Sequence, residues 1–206
     1  MKKFALIAAL VLGPCCAAQA NIIPSLNSIT DNGTDFTWDY RISLADDQNA
    51  VPGSSPSSNP VSHTDLSIGS LFTLYDFFGY IDGSCTAPAG WSCTDQDVGF
   101  TPDDVLPFDD PTKPNITWVY NEGPIIIGPD DWEEVFSVRS IYNEIAFISF
   151  AARGTKSEGP AAGTITDNVG LAEGPVNPDL QVPLPSSLLL LGLSLLGLGT
   201  VRKMYG

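Results

Sequence analysis

Phe36-Thr37-Trp38-Asp39-Tyr40-Arg41-Ile42-Ser43-Leu44 decides the fold, because five apolar side chains alternate with four polar ones over nine residues. Successive side chains of an extended chain point to opposite sides, so a strict period of two predicts a strand with one buried face. The residues before it, Thr30-Asp31-Asn32-Gly33-Thr34-Asp35, are turn chemistry, with Asn-Gly as the strongest local signal.

The same period recurs downstream. Leu66, Ile68, Phe72 and Leu74 alternate, and Tyr75, Phe77, Phe78, Tyr80 and Ile81 prolong an aromatic strand as far as Asp82-Gly83. Ile116, Trp118 and Tyr120 form another run, followed by Ile125 to Ile127 between Pro124 and Gly128-Pro129. Phe136 and Val138, then Ile145, Phe147 and Ser149 against Ala146, Ile148 and Phe150, predict two more strands around a turn at Asn143. Ile165 and Val169 to Leu171 make a short last one. Between these runs, Ala50 to Ser62 is Pro/Ser-rich and predicts an exposed loop, locally disordered. Asp95 to Pro114 is acidic and broken by four prolines after Asp95, at 102, 107, 111 and 114, which excludes helix. Asp130 to Glu134 reads as one helical turn or a charged loop, and Gly154 to Gly163 as loop. Short strands with frequent turn signals and no amphipathic helix predict a mainly β protein, a single antiparallel β-sandwich of immunoglobulin-like or jelly-roll type. The domain is expected over residues 21–172, followed by an extended linker over 173–181.

Both ends differ from this body. Met1-Lys2-Lys3, an apolar run from Phe4 to Leu12 and Ala18-Gln19-Ala20 form the three parts of a secretory signal peptide over residues 1–20, with cleavage between Ala20 and Asn21. At the other end, Leu184 to Val201 is an uncharged run of 18 residues. As helix it would measure roughly 27 Å, close to the hydrocarbon thickness of a bilayer. A transmembrane helix over about residues 186–201 is expected, with Arg202 and Lys203 as the positive stop that keeps the C-terminus cytoplasmic and the domain outside.

Val182-Pro183-Leu184-Pro185-Ser186-Ser187, the Leu/Gly-rich segment and the terminal basic pair together resemble the PEP-CTERM sorting signal of bacterial exported proteins. Leu184 stands where the motif usually has Glu, and Arg202-Lys203 is followed by Met-Tyr-Gly instead of a terminal Arg run. The resemblance covers residues 182–206. It implies recognition of Val182, Pro183, Leu184 and Pro185 by exosortase, an integral-membrane cysteine transpeptidase, and delivery to the cell surface or exopolysaccharide matrix.

Charge and cysteine narrow the function. Between the end segments the chain holds five basic and 24 acidic residues, a net charge of −19. Such a surface repels nucleic acid and anionic lipid. Cys85 and Cys93 are the two cysteines left after signal cleavage, and export makes a disulfide across the CTAPAGWSC loop the default. The single histidine, His63, sits at the edge of the Pro/Ser loop, and no G-x-S-x-G, H-E-x-x-H or P-loop pattern appears. No catalytic, cofactor or metal residue is assigned, and the expectation is a non-enzymatic surface or matrix protein. The alternative is a calcium-dependent or glycan-binding module. Its basis is the loop carboxylates Asp103-Asp104, Asp109-Asp110, Asp130-Asp131 and Glu133-Glu134, with Asp95 and Asp97, since calcium takes oxygen ligands. Trp91, Trp118 and Trp132 are candidates for sugar stacking, with Trp91 in the disulfide loop the one singled out as a candidate for exposure and Trp118 expected to be core.

Overall fold

The structure, a computed structural model, describes residues 22–180. Ten strands make two antiparallel sheets: β1 (Ile22–Asp31), β2 (Phe36–Leu44), β3 (Gln48–Ala50), β4 (Leu71–Leu74), β5 (Trp91–Gln96), β6 (Asn115–Tyr120), β7 (Ile126–Ile127), β8 (Asp130–Ser140), β9 (Ile145–Lys156) and β10 (Ile165–Pro175). The smaller sheet runs β1-β2-β8, and the larger runs β5-β6-β4-β9, with β3 and β7 continuing one end and β10 pairing along β9. They face each other as a sandwich.

β2 is the central strand of its sheet and spans the nine residues whose alternation predicts it, with Trp38, Tyr40, Ile42 and Leu44 turned into the core. Opposite them lie Phe72 and Leu74 of β4, Ile116, Trp118 and Tyr120 of β6, and Ile148, Phe150 and Ala152 of β9. The centre is aromatic. Phe72 stacks on Trp118 with ring centroids 4.9 Å apart and meets Phe136 and Trp91 edge-on at 5.1 and 6.1 Å.

β4 and β6 depart from the half-buried pattern, since every residue of both is buried. Their second face lies under the loops, where Val61, Leu71 and Val119 form a smaller core with Ile68 and Phe100 packed against it. The Pro/Ser stretch is therefore a cover and not a disordered loop: Gly53 N donates to Tyr120 O, Ser54 N to Ser67 O and Gly69 N to Ser54 O. Gly69 is fixed by this approach, for a Cβ there would lie 2.0 Å from the Tyr120 carbonyl oxygen.

Four further predictions change. The aromatic strand stops at Leu74, because Asp76 takes a left-handed φ of 55° while its N–H donates to the buried Asn115 side chain. Asp130 to Glu134 is neither helical turn nor loop but the solvent-exposed start of β8, paired with β2. β9 and β10 run through the expected loop and linker ends, to Lys156 and to Pro175, and Glu173 and Gly174 pair with Phe147 and Ala146. Trp91 is only 7 % exposed at the start of β5, so it is core and no stacking platform.

The disulfide joins Cys85 to Cys93 with Cα atoms 6.1 Å apart. It ties the segment before β5 to β5 itself, beside Thr86, whose backbone pairs with Ser137 of β8 and whose carbonyl accepts from Trp118 Nε1. The bond thus stitches the two sheets together at one side.

Phe72→Ala should cost about 3–5 kcal/mol, since it removes the ring on which three other core aromatics pack. Urea unfolding at constant m-value measures it. An unchanged midpoint would contradict this picture of the core.

Candidate functional site

The sole histidine is placed by the loop cover. Arg153 of β9 faces the loops, is 1 % exposed and donates through Nη1 to Ser62 O at 2.7 Å and through Nη2 to Asp65 O. Its guanidinium therefore clamps the turn at residues 62–65 from beneath. A second strap comes from the side: Val61 N donates to Thr101 O, Asp103 N to Val61 O, and the Asn59 side chain bonds Gly99 O and Thr101 N. Two segments 40 residues apart in sequence are thereby locked edge to edge.

At that edge His63 meets two carboxylates. Nδ1 lies 2.8 Å from Asp103 Oδ1 and 3.5 Å from Asp104 Oδ1, and the His63 N–H also donates to Asp103 Oδ1 at 2.8 Å. Donation from the imidazole to Asp103 and the charges of Asp103 and Asp104 raise the imidazole pKa. Desolvation opposes ionisation of Asp103, but its hydrogen bonds from His63 outweigh that and hold its pKa low. All three side chains reach solvent.

Next to them is a carboxylate in a different state. Asp167 of β10 pairs across the ladder with Arg153, yet both of its oxygens are shut off from solvent and accept no hydrogen bond. Desolvation pushes its pKa up to about 6, with Arg153 pulling it back and Asp104 and Asp103 adding to the rise. Burial also lowers the pKa of Arg153, offset in part by Asp167, Asp65 and Asp103.

Of the other acidic residues singled out from sequence, three are used within the fold, while Asp97, Asp130, Asp131, Glu133 and Glu134 are exposed. Asp109 accepts from Gly99 N and Asn115 Nδ2, Asp110 from Lys113 and Thr112, and Asp95 from Tyr80 Oη. Trp118 is fully buried, as expected. Trp132 is the tryptophan that reaches a surface cleft, an open volume of about 510 Å³ shared with Tyr120, Gly90 and Pro124. Arg153 and Asp167 are absent from any sequence-based list of site residues. Each sits in a strand with ordinary composition, and only the pairing of β9 with β10 brings them under His63.

The sorting residues Val182, Pro183, Leu184 and Pro185, the stop Arg202-Lys203 with the expected membrane helix, and the cleavage pair Ala20-Asn21 lie outside the described residues. The described chain ends in a 3-10 turn, Pro178–Leu180. Residues 181–203, directly after it, match the model of the PEP-CTERM protein-sorting motif. The chain carries a PEP-CTERM sorting motif. Neither curated proteins nor solved structures yield a match. The PEP-CTERM match contains the Val-Pro-Leu-Pro segment and both basic residues, so Leu184 in place of the usual Glu leaves the motif recognisable.

Because the folded pKa of Asp167 lies above its ordinary value of 3.8, the folded state holds this proton more tightly than the unfolded chain. The penalty for ionising it is absent below about pH 4 and fully present above about pH 6. Asp167→Asn should therefore raise the melting temperature at pH 7.5, measured in chelator, and the gain should vanish at pH 4. A variant less stable than the wild type at pH 7.5 would contradict the unpartnered state of this carboxylate.

Proposed function

We propose that the protein is an exported, non-enzymatic β-sandwich held at the inner membrane by its tail and then passed to the cell surface or extracellular matrix. The observation that carries this reading is the PEP-CTERM motif at residues 181–203, coming directly after a folded domain. An exosortase-type enzyme would read Val182-Pro183-Leu184-Pro185 while the Leu-rich segment lies in the bilayer and Arg202-Lys203 stays on the cytoplasmic side. Residues 1–20 would direct export, with cleavage after Ala20.

The domain's own chemistry supports a displayed role. Both cysteines of the described residues are joined to each other, so neither supplies a thiolate nucleophile. The acidic surface, with a net charge of −19 between the end segments, keeps such a domain soluble and off anionic lipid and nucleic acid once released. Exopolysaccharide is the matrix such delivery would serve.

Pro183→Ala with Pro185→Ala should leave membrane insertion intact, since neither proline belongs to the Leu-rich core of the span, but should block conversion to the surface form. In wild-type cells the surface form should be lighter than the membrane form by the mass of the tail, and it should disappear in cells lacking exosortase. Immunoblots of membrane and surface fractions decide it. Full-length protein alone in both strains would leave a plain C-terminal anchor and sink the sorting step.

A further inference from the structure

We propose that the corner formed by His63, Asp103 and Asp104 binds a divalent transition-metal ion, with imidazole Nδ1 and one oxygen from each carboxylate as the three protein ligands and water in the remaining positions. One ligand atom from each of the three side chains falls within 4.8 Å of the others. A shared ion needs them roughly 3–3.5 Å apart at ordinary metal–nitrogen and metal–oxygen distances. His63 Nδ1 already stands 2.8 and 3.5 Å from the two carboxylate oxygens, and Asp104, with its side chain 63 % exposed, is free to turn inward. The ion takes the place of the hydrogen bond that now joins His63 Nδ1 to Asp103 Oδ1.

Three features lift this group above an ordinary surface ion pair. First, it is built on a rigid base: the 62–65 turn is clamped by the buried Arg153, and Asp103 is strapped to Val61 through the backbone. His63 and Asp103 are thus positioned before any ion arrives. Second, the charge around it is unbalanced. Asp103, Asp104, Asp65 and Asp167 converge on the electrostatics of this corner against one guanidinium, Arg153, so an added dication offsets a standing repulsion. Third, the two oxygens of Asp167 are closed off from water without a hydrogen-bond donor, although the carboxylate interacts with Asp103, Asp104 and His63. The Arg153 guanidinium offsets this charge only in part, and a dication at the corner adds to that offset.

The donor set selects the class of ion. Calcium and magnesium take oxygen ligands almost exclusively, whereas an imidazole nitrogen beside carboxylates suits zinc, manganese and their neighbours. The site is therefore distinct from a calcium loop made of carboxylates alone. With three protein ligands and an outward face, the ion keeps open positions, which suits a bridge to a second oxygen-rich partner better than a sealed structural centre.

His63 is the only histidine of the chain, so its imidazole proton resonances report on the site without interference. The test uses the full-length protein in detergent, stripped with chelator and then titrated separately with Zn²⁺ and with Ca²⁺. Zn²⁺ should shift the imidazole resonances to saturation at one equivalent per chain and raise the melting temperature, as any ligand specific for the native state must. Ca²⁺ at the same concentration should do neither. His63→Ala should abolish the zinc-dependent gain, and Asp103→Asn or Asp104→Asn should each weaken zinc binding by about tenfold or more. Unmoved imidazole resonances in excess Zn²⁺ would overturn the proposal. So would equal binding by both Asn variants, which would reduce the site to a lone imidazole, or a Ca²⁺-dependent gain that survives His63→Ala, which would move the cation to other carboxylates.

Discussion

The antiparallel pair β4 and β6 is buried on both faces, and that constraint shapes the rest of the molecule. A strand pair in the middle of a sheet that is buried on both sides has no face to give to water, so something must lie on each. One side is met by the β1-β2-β8 sheet, through Trp38, Tyr40 and Phe136. Among the described residues no helix is available for the other. The long connections before β4 and before β6 fold down over Leu71, Thr73, Thr117 and Val119 instead, with Val61, Ile68 and Phe100 as their apolar contacts. Polar atoms under this cover are matched within it, as where Thr73 Oγ1 donates to Phe100 O and meets Thr117 Oγ1 at 2.8 Å. Because both connections are pressed onto one small area, His63 from the first and Asp103 and Asp104 from the second must end side by side. The candidate site is a consequence of covering a two-faced strand pair with loops.

Legibility in the sequence divides along the same line. Strands with one wet face announce themselves: β2 is legible residue by residue because Thr37, Asp39, Arg41 and Ser43 mark the outer side. β1 is not, since Pro24 near its start and a register shift between Leu26 and Ser28 break the period, and an edge strand tolerates both. β8 begins with four acidic residues among five, which obscures a strand whose first half carries no buried face. For Ala50 to Ser62 composition misleads, because glycine and serine are what a loop needs to approach another backbone closely. At the site, Asp103-Asp104 and His63 are visible as residue types. Their meeting is not, for it depends on Val61 pairing with Pro102, and nothing local encodes that.

Charge explains why the surplus of acid does not tear the domain apart. Of the five cations between the end segments, Arg139 pairs with Asp35, Lys113 with Asp110 and Lys156 with Asp47, while Arg153 serves backbone carbonyls. Each of the three pairs secures a turn or a strand end. The Arg139 guanidinium, with help from Asn32, holds the Asp35 carboxyl down at about 2, so this contact survives in all but strong acid and anchors the tight turn between β1 and β2. Three of the five cations are thus placed where the chain changes direction, while Arg41 lies exposed within β2. The corner at His63 is where that economy runs short, with one buried guanidinium facing several acids.

The last strand sets the relation between the domain and the sorting motif. β10 pairs with β9 along its whole length, the Glu173 carbonyl accepts from Tyr40 Oη of the opposite sheet, and Val176 N donates to Glu144 O. The body is therefore stitched closed up to Val176, within a few residues of the PEP-CTERM motif. At no more than about 3.6 Å per residue, the six steps from Val176 to Val182 reach roughly 20 Å. A processing enzyme working at the motif must therefore operate with the sandwich close beside it. Conversely, every hydrogen bond that closes the described domain lies upstream of the motif, so a cut at or beyond Val182 removes none of them. Folding and sorting are separable because the strand that completes the sandwich ends before the address begins.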